Sequence, residues 1–425
     1  MRRREPIKYR LQRFWKTLGP GLITGASDDD PSAITTFSQA GARYGLSTLW
    51  MSVLAYPILA VLQEMCARIG IVTGKGLTGV VKTYYPKWVL YFLIGLSCPA
   101  FLLNIGADIA VLGEAGNLLF PSIPSLYCSI GFTLLLFALI LLLPYDKLAL
   151  IMKYICLSLL VYLIVPFSHP QNLRSILWHS LVPSIQFDKD FIMTVTGIIG
   201  AIISPYLFFW QTSSEVDALA ASDKNLPRTL TYSFRIMRKD ILSGAFFAVL
   251  IMYFIILTTG SILNSHNITH IESIKDAALA LQPLAGNLSY VLFSIGIIGT
   301  GFLIIPVLSA SISYILSEAF NRKAGLNKTP GEAGLFYLII AIAMCLGMCM
   351  HWLHISAVKI LLLTTLLYGI TTPFLILIIL HISNNKEIMG ASRNNLFSNT
   401  VGSVALVLML VTVVILSYFL LHDIF

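Results

Sequence analysis

The 425-residue chain is 57% hydrophobic and 11% charged, with a mean hydropathy of +0.82, against about 25% charged residues in soluble domains. That composition excludes a soluble globular protein and a disordered chain. The formal charge of +8 would suit a nucleic-acid binder, but the basic residues sit in short segments between apolar runs, where they report topology; no nucleic-acid partner is expected.

The chain opens on a basic tail, residues 1–17, with Arg2, Arg3, Arg4, Lys8, Arg10, Arg13 and Lys16, which the positive-inside rule assigns to the cytoplasm. Eleven apolar runs follow, each long enough to cross a hydrocarbon core about 30 Å thick. They are 18–44, 48–72, 88–119, 127–144, 149–167, 190–216, 239–264, 286–320, 332–351, 356–381 and 398–421. Lys75, Lys82 and Lys87 then fall in one inner loop, Lys224, Arg228, Arg235 and Arg238 in a second, Arg322, Lys323 and Lys328 in a third, and Lys386 with Arg393 in a fourth. The tail His422 to Phe425 is expected outside, and the whole chain in a plasma membrane, with a bacterial inner membrane as the natural setting. The first run is too long, and too broken by glycine and aspartate, for a signal peptide, so it is read as a retained span. Between spans six and seven, Thr229 to Lys239 is basic and amphipathic and is expected to lie along the inner surface. Cys345 and Cys349, with Met344 and Met348, share the ninth span, where thiols and thioethers are ordinary packing groups.

Two spans are interrupted alike. Span one reads Gly25-Ala26-Ser27-Asp28-Asp29-Asp30-Pro31, and span six reads Gly200-Ala201-Ile202-Ile203-Ser204-Pro205-Tyr206. A capping residue followed by proline starts a new half-helix, because proline has no N–H to lose at the first position and Asp or Ser accepts from the exposed amides. Plain proline kinks are the alternative, and they leave the acidic run unexplained. Matching breaks in spans one and six predict two five-span repeats, 18–167 and 190–381, with 398–421 as an added eleventh span. An odd number of spans inverts the second copy, and paired broken helices in inverted repeats mark a transporter's substrate site at the bilayer midplane.

A carboxylate near mid-membrane costs about 2.5 to 3.5 kcal/mol on insertion scales, so three in a row point to a cation. Asp30 is the expected charged ligand. Backbone carbonyls opened near Ser27 and Ala201 add neutral oxygens, and together they make the ligand set of a hard divalent ion. Asp28 and Asp29 either shape the field and entry path or are hydrated vestibule charges. Gln211 and Glu215 either line the inner exit or solvate the end of span six.

Gly19-Pro20-Gly21, Asp30-Pro31, the run Gln39-Ala40-Gly41-Ala42 with Tyr44-Gly45, and Ala67-Arg68-Ile69-Gly70 through Thr73-Gly74-Lys75 resemble the Nramp family of divalent metal transporters. The resemblance runs from Leu18 to Gly390 and implies an all-α integral membrane protein with the LeuT-type fold and a cytoplasmic N-terminus. Nramp sites resemble Asp-Pro-Gly-Asn in span one and Met-Pro-His in span six. Here the segments read Asp30-Pro31-Ser32-Ala33 and Ser204-Pro205-Tyr206. Ala33 stands for the asparagine ligand, Ser204 for the methionine and Tyr206 for the histidine. Losing the thioether shifts preference towards hard cations, and fewer side-chain ligands suit a partly hydrated Mg²⁺. This pattern resembles that of the Nramp-related magnesium transporters more than that of the iron and manganese importers. The family's acidic pair in span three, similar to Asp-x-x-Glu, is here Asp108 and Val111, so obligatory proton coupling is not expected.

The sequence thus predicts a secondary transporter of Mg²⁺, with Mn²⁺ as a second cargo, working by alternating access. The metal sites are Asp30, Ser27, Ala201 and Ser204, with Asp28, Asp29, Ser32, Ala33, Tyr206, Gln211 and Asp108 around or leading to them. No cofactor and no obligatory protein partner are expected; membrane lipid and the metal ion are the partners. An ordinary proton-coupled Mn²⁺ or Fe²⁺ importer is the alternative, as is an organic-solute carrier on the same fold, although three aspartates would repel a substrate carboxylate. His-Glu-x-x-His and Gly-x-Ser-x-Gly are both absent, which leaves a hydrolase without support.

Overall fold

In a computed structural model of the chain, the described residues are 24–25, 27–143, 172–221, 230–271, 274–279, 289–350 and 357–422, with 147, 151, 163 and 286 as single positions. The basic tail, Gly19 to Gly21, Lys224, Arg228 and nearly all of the expected fifth span lie outside them. The described residues contain helices and no strand.

The principal helices are α1 (Pro31–Tyr44), α2 (Trp50–Thr73), α3 (Leu77–Tyr84), α4 (Lys87–Leu119), α5 (Ser125–Leu142), α6 (Leu173–Leu181), α7 (Lys189–Ile202), α8 (Pro205–Ala221), α9 (Leu230–Ile262), α10 (Ser289–Ala319), α11 (Gly334–Cys349), α12 (Ala357–Asn384) and α13 (Leu396–His422). Among the described residues eight helical stretches are long and apolar enough to cross a membrane, the pair α7 and α8 counting as one, and α11 is a shorter apolar helix. Helices α3 and α6, each under ten residues, occupy connections that carry no span. Large apolar side chains are left on the outside, as lipid-facing surfaces require, and Trp88, Tyr127 and Trp178 are exposed near helix ends, the positions favoured by interfacial aromatics. Pro57, Pro99, Pro306 and Pro373 lie inside helices, which neighbouring spans make tolerable in a membrane.

One expectation is corrected. Residues 230–239 are not a separate surface helix but the first turns of α9, a single 33-residue helix. At 1.5 Å per residue it is about 50 Å long, so its basic end extends beyond the apolar core. Amphipathic periodicity cannot tell a protruding helix end from one lying flat.

The packing is organised around the two broken spans. Helix α1, the second half of span one, packs most on α9, and α8, the second half of span six, packs most on α2. Helices α4 and α10 form the most extensive pair, while α12 contacts both α4 and α7. Helix backbones meet where side chains are smallest: a Cβ on Gly25 would fall on the backbone of Gly244, and one on Gly70 would fall on the carbonyl of Thr212. Close approach at small residues is how spans associate when water supplies no driving force between them.

Candidate metal site

In span one Thr24, Gly25, Ser27 and Asp28 are helical, Asp29 is in a bend, and the chain reopens at Asp30. Asp30 is the N-cap of α1, with φ −72° and ψ 169°, and Pro31 follows as expected of a helix start. The cap is made by the amide of Ala33, which donates to Oδ1 of Asp30 at 2.6 Å. The hydroxyl of Ser32 donates to the same oxygen. A third donor comes from span three, where Nδ2 of Asn104 donates to Oδ2 of Asp30 at 3.1 Å. The hydroxyl of Thr364 in α12 lies 3.1 Å from Oδ1 of that asparagine, so a buried polar chain ties spans one, three and ten together.

Span six breaks after Ile202, with Ile203 at φ −110° and ψ 55° ending α7. Ser204 does not cap the helix that follows in the way Asp30 does. Its hydroxyl turns back and donates to the carbonyl of Ala201 at 2.6 Å, while Thr372 donates to the carbonyl of Ile203 at 3.0 Å. The hydroxyl of Tyr206 donates to the carbonyl of Ser27 at 2.9 Å. This bond joins the two breaks directly and gives Tyr206 a structural task. Both opened carbonyls, at Ser27 and Ala201, therefore already hold one protein donor and retain their second lone pair.

Asp30, Ser27, Ala201, Ser204, Tyr206 and Ala33 are all at most 2% exposed. The ring of Phe101 stands 6.2 Å from that of Tyr206, 6.0 Å from Tyr368 and 6.0 Å from Phe209. These rings wall the site with low-dielectric groups, in which charge interactions are stronger than in water.

The three consecutive aspartates do not form a chelating cluster. Among the described residues no three His, Cys, Asp or Glu side chains converge as a metal site, because successive residues around a helix break point in different directions. Asp28 and Asp29 are buried, at 1% and 2% exposure. Neither carboxylate oxygen of Asp28 has a hydrogen-bond partner among the described residues, and the same holds for Asp108. Asp108 follows Asn104 by four positions on α4, hence on the same helix face. Gln211 is fully buried; it accepts from the hydroxyl of Thr24 at 2.5 Å and donates to Glu215 at 3.0 Å.

Two cavities approach from opposite ends. One, of about 930 Å³, is lined by Lys75, Lys82, Arg322, Lys323 and Lys328 together with Asp217 and Glu318. The other, of about 500 Å³, is lined by Thr36, Gln39, Arg43, Asp190, His270 and Thr365 among others. Neither is lined by Asp30 or Ser204, which are buried among the described residues. Arg43 and Asp190 pair over the smaller cavity, and Ser213 and the amide of Gly79 both donate to Glu318 beside the larger one, at 3.0 Å and 2.8 Å.

Asn104 and Thr364 escape a reading of the sequence by spacing. Asn104 is a fully buried amide in the middle of a 33-residue apolar helix; its place one turn before the buried Asp108 is the signal that would have found it.

Residues 21–419 match the Nramp family model, described as natural resistance-associated macrophage protein-like. The chain is 24% identical over 384 residues to a protein named divalent metal cation transporter MntH from Caldanaerobacter subterraneus subsp. tengcongensis, covering 89% of this chain and 87% of that one. A crystal structure of the Eremococcus coleocola manganese transporter superposes with a TM-score of 0.72 at 18% identity, covering 95% of this chain and 87% of its own. The inward-facing conformation of Mhp1 does so with a TM-score of 0.50 at 12% identity, covering 95% and 91%. The fold is the all-helical LeuT-type membrane fold.

Proposed function

The chain belongs to the Nramp family, and from that premise we propose that it carries divalent metal ions across the membrane by alternating access, with Mg²⁺ as main cargo and Mn²⁺ as a second. The observation that carries this reading is the donor set where the two helix breaks meet. It consists of one carboxylate, Asp30, two backbone carbonyls, of Ser27 and Ala201, and the hydroxyl of Ser204, with no sulfur among them. The carbonyls sit beside Tyr206 and Ser204 hydroxyls that already donate to them. An all-oxygen set with few anionic ligands suits Mg²⁺, which keeps several waters and takes one or two carboxylates.

In this reading the two repeats, 18–167 and 190–381, rock against one another around the site. The exchanged packing of α1 on α9 and of α8 on α2 supports it, since an inverted two-fold relation pairs the second half of each broken span with the helix after the other. The basic loops face the cytoplasm, and the larger cavity is the inner vestibule. The organic-solute alternative has less support, because a substrate carboxylate would meet the buried Asp28, Asp29 and Asp30.

The test is uptake into proteoliposomes holding the purified chain. Mg²⁺ entry above the protein-free leak is expected, with Mn²⁺ competing for it. Transport of Cd²⁺ or Fe²⁺ with no response to Mg²⁺ would replace this reading with the ordinary transition-metal one.

A further inference from the structure

An ionised carboxylate offers about four lone-pair positions, and hydrogen bonds from Ser32, Ala33 and Asn104 occupy most of those of Asp30. Ser32 and the amide of Ala33 donate to Oδ1, and Asn104 donates to Oδ2. Oδ2, with the Asn104 amide as its donor, keeps one lone pair for a cargo ion. The first two bonds are local consequences of capping α1. The third is not local: it comes from a helix 74 positions away in sequence, and capping does not need it.

The orientation of the Asn104 amide follows from its neighbours. Its nitrogen must face Asp30, because its carbonyl oxygen there would oppose a carboxylate oxygen. Thr364 supports the other end, its hydroxyl lying 3.1 Å from Oδ1 of Asn104 and 2.7 Å from the carbonyl of Leu361, so that one hydrogen is shared. Asn104 and Thr364 are both fully buried, and a buried amide does not give up its partner without leaving a desolvated donor behind.

We propose that Asn104 is a specificity-determining residue, which occupies one side of Oδ2 of Asp30 from span three, restricts Asp30 to monodentate contact with the cargo, and so disfavours Ca²⁺ relative to Mg²⁺. Ca²⁺ takes six to eight oxygens and readily binds a carboxylate through both. Mg²⁺ holds a six-coordinate shell, keeps its waters, and needs one carboxylate oxygen only. Mn²⁺ shares that preference for oxygen ligands in octahedral geometry, so the device does not separate it from Mg²⁺. This inference rests on Asp30 being the cargo ligand.

The test uses the purified full-length protein, with Mg²⁺ and Ca²⁺ binding measured by calorimetry and their competition measured as flux into proteoliposomes. The quantity read is the ratio of apparent Ca²⁺ to Mg²⁺ affinity, which a purely structural role would not move. Asn104→Ala is expected to raise that ratio about tenfold, the scale of one hydrogen bond to a charged group. Thr364→Val, which releases the amide without touching Asp30, is expected to raise it by a smaller factor, and Thr364→Ser to leave it at the wild-type value. If Asn104→Ala does not fold, the valine and serine variants of Thr364 decide the matter between them. An unchanged ratio in the folded variants, or equal weakening for both ions, overturns the role given to Asn104 alone. Wild-type protein that binds neither ion overturns the proposed cargo and this inference with it.

Discussion

Asp30→Ala is expected to abolish metal transport, by about 100-fold or more, while the protein stays folded in detergent. Removing an outlying partner of a metal ligand already costs about 10- to 100-fold, and Asp30 is the carboxylate proposed as the direct ligand. The structural cost is smaller: alanine loses the cap bond from Ala33, worth about 1 kcal/mol, and leaves the buried Asn104 amide without its acceptor, at about 1 to 3 kcal/mol. Asp30→Asn separates the two roles, because asparagine caps helices as well as aspartate does but brings no charge. It is expected to match the wild type in thermal unfolding and Asp30→Ala in flux. A capped, folded Asp30→Asn protein that still moved Mg²⁺ at the wild-type rate would mean that Asp30 is a cap and nothing more.

The second large effect concerns protons. A relay needs titratable groups within reach of one another. In α4, Val111, three residues after Asp108, is fully buried and carries no titratable group, and Glu114 lies six residues beyond Asp108, about 120° around the helix. The hydroxyl of Tyr206 is engaged with the carbonyl of Ser27. Metal entry is therefore expected without obligatory proton entry. The driving force would be the metal gradient together with the membrane potential, about 2.3 kcal/mol per charge per 100 mV. For a divalent ion that is about 4.6 kcal/mol, equivalent to a concentration ratio on the order of 10³. With a pH dye trapped inside proteoliposomes and Mg²⁺ added outside, the lumen should acidify no faster than the leak seen with ionophore controls. Metal-dependent acidification would assign proton transfer to Asp108, Glu114 or the pair Asp28 and Asp29.

The architecture was legible where it depends on local pattern. The long apolar helices among the described residues fall where apolar length places spans, and the span-one break follows from an aspartate before a proline, which the geometry of Asp30 and Pro31 bears out. Ser204 precedes a proline in the same way, yet its hydroxyl serves the half-helix before it, because a hydroxyl can donate backwards to a carbonyl and a carboxylate cannot. What joins the breaks was not legible. Tyr206 reaches Ser27 across 179 positions, and Thr364 reaches Asn104 across 260, separations over which periodicity carries no information. The acidic run says less about Asp28 and Asp29: both are buried, and among the described residues no three His, Cys, Asp or Glu side chains are grouped as a metal site.

Anomalous diffraction from crystals grown with Mn²⁺ tests the central claim most directly, since it locates the ion without reference to flux. The account predicts a single strong peak in the midplane region, at coordination distance from Oδ2 of Asp30 and between the carbonyls of Ser27 and Ala201. A peak at Asp217 and Glu318 in the larger cavity, with density around Asp30 left empty at saturating Mn²⁺, would contradict it.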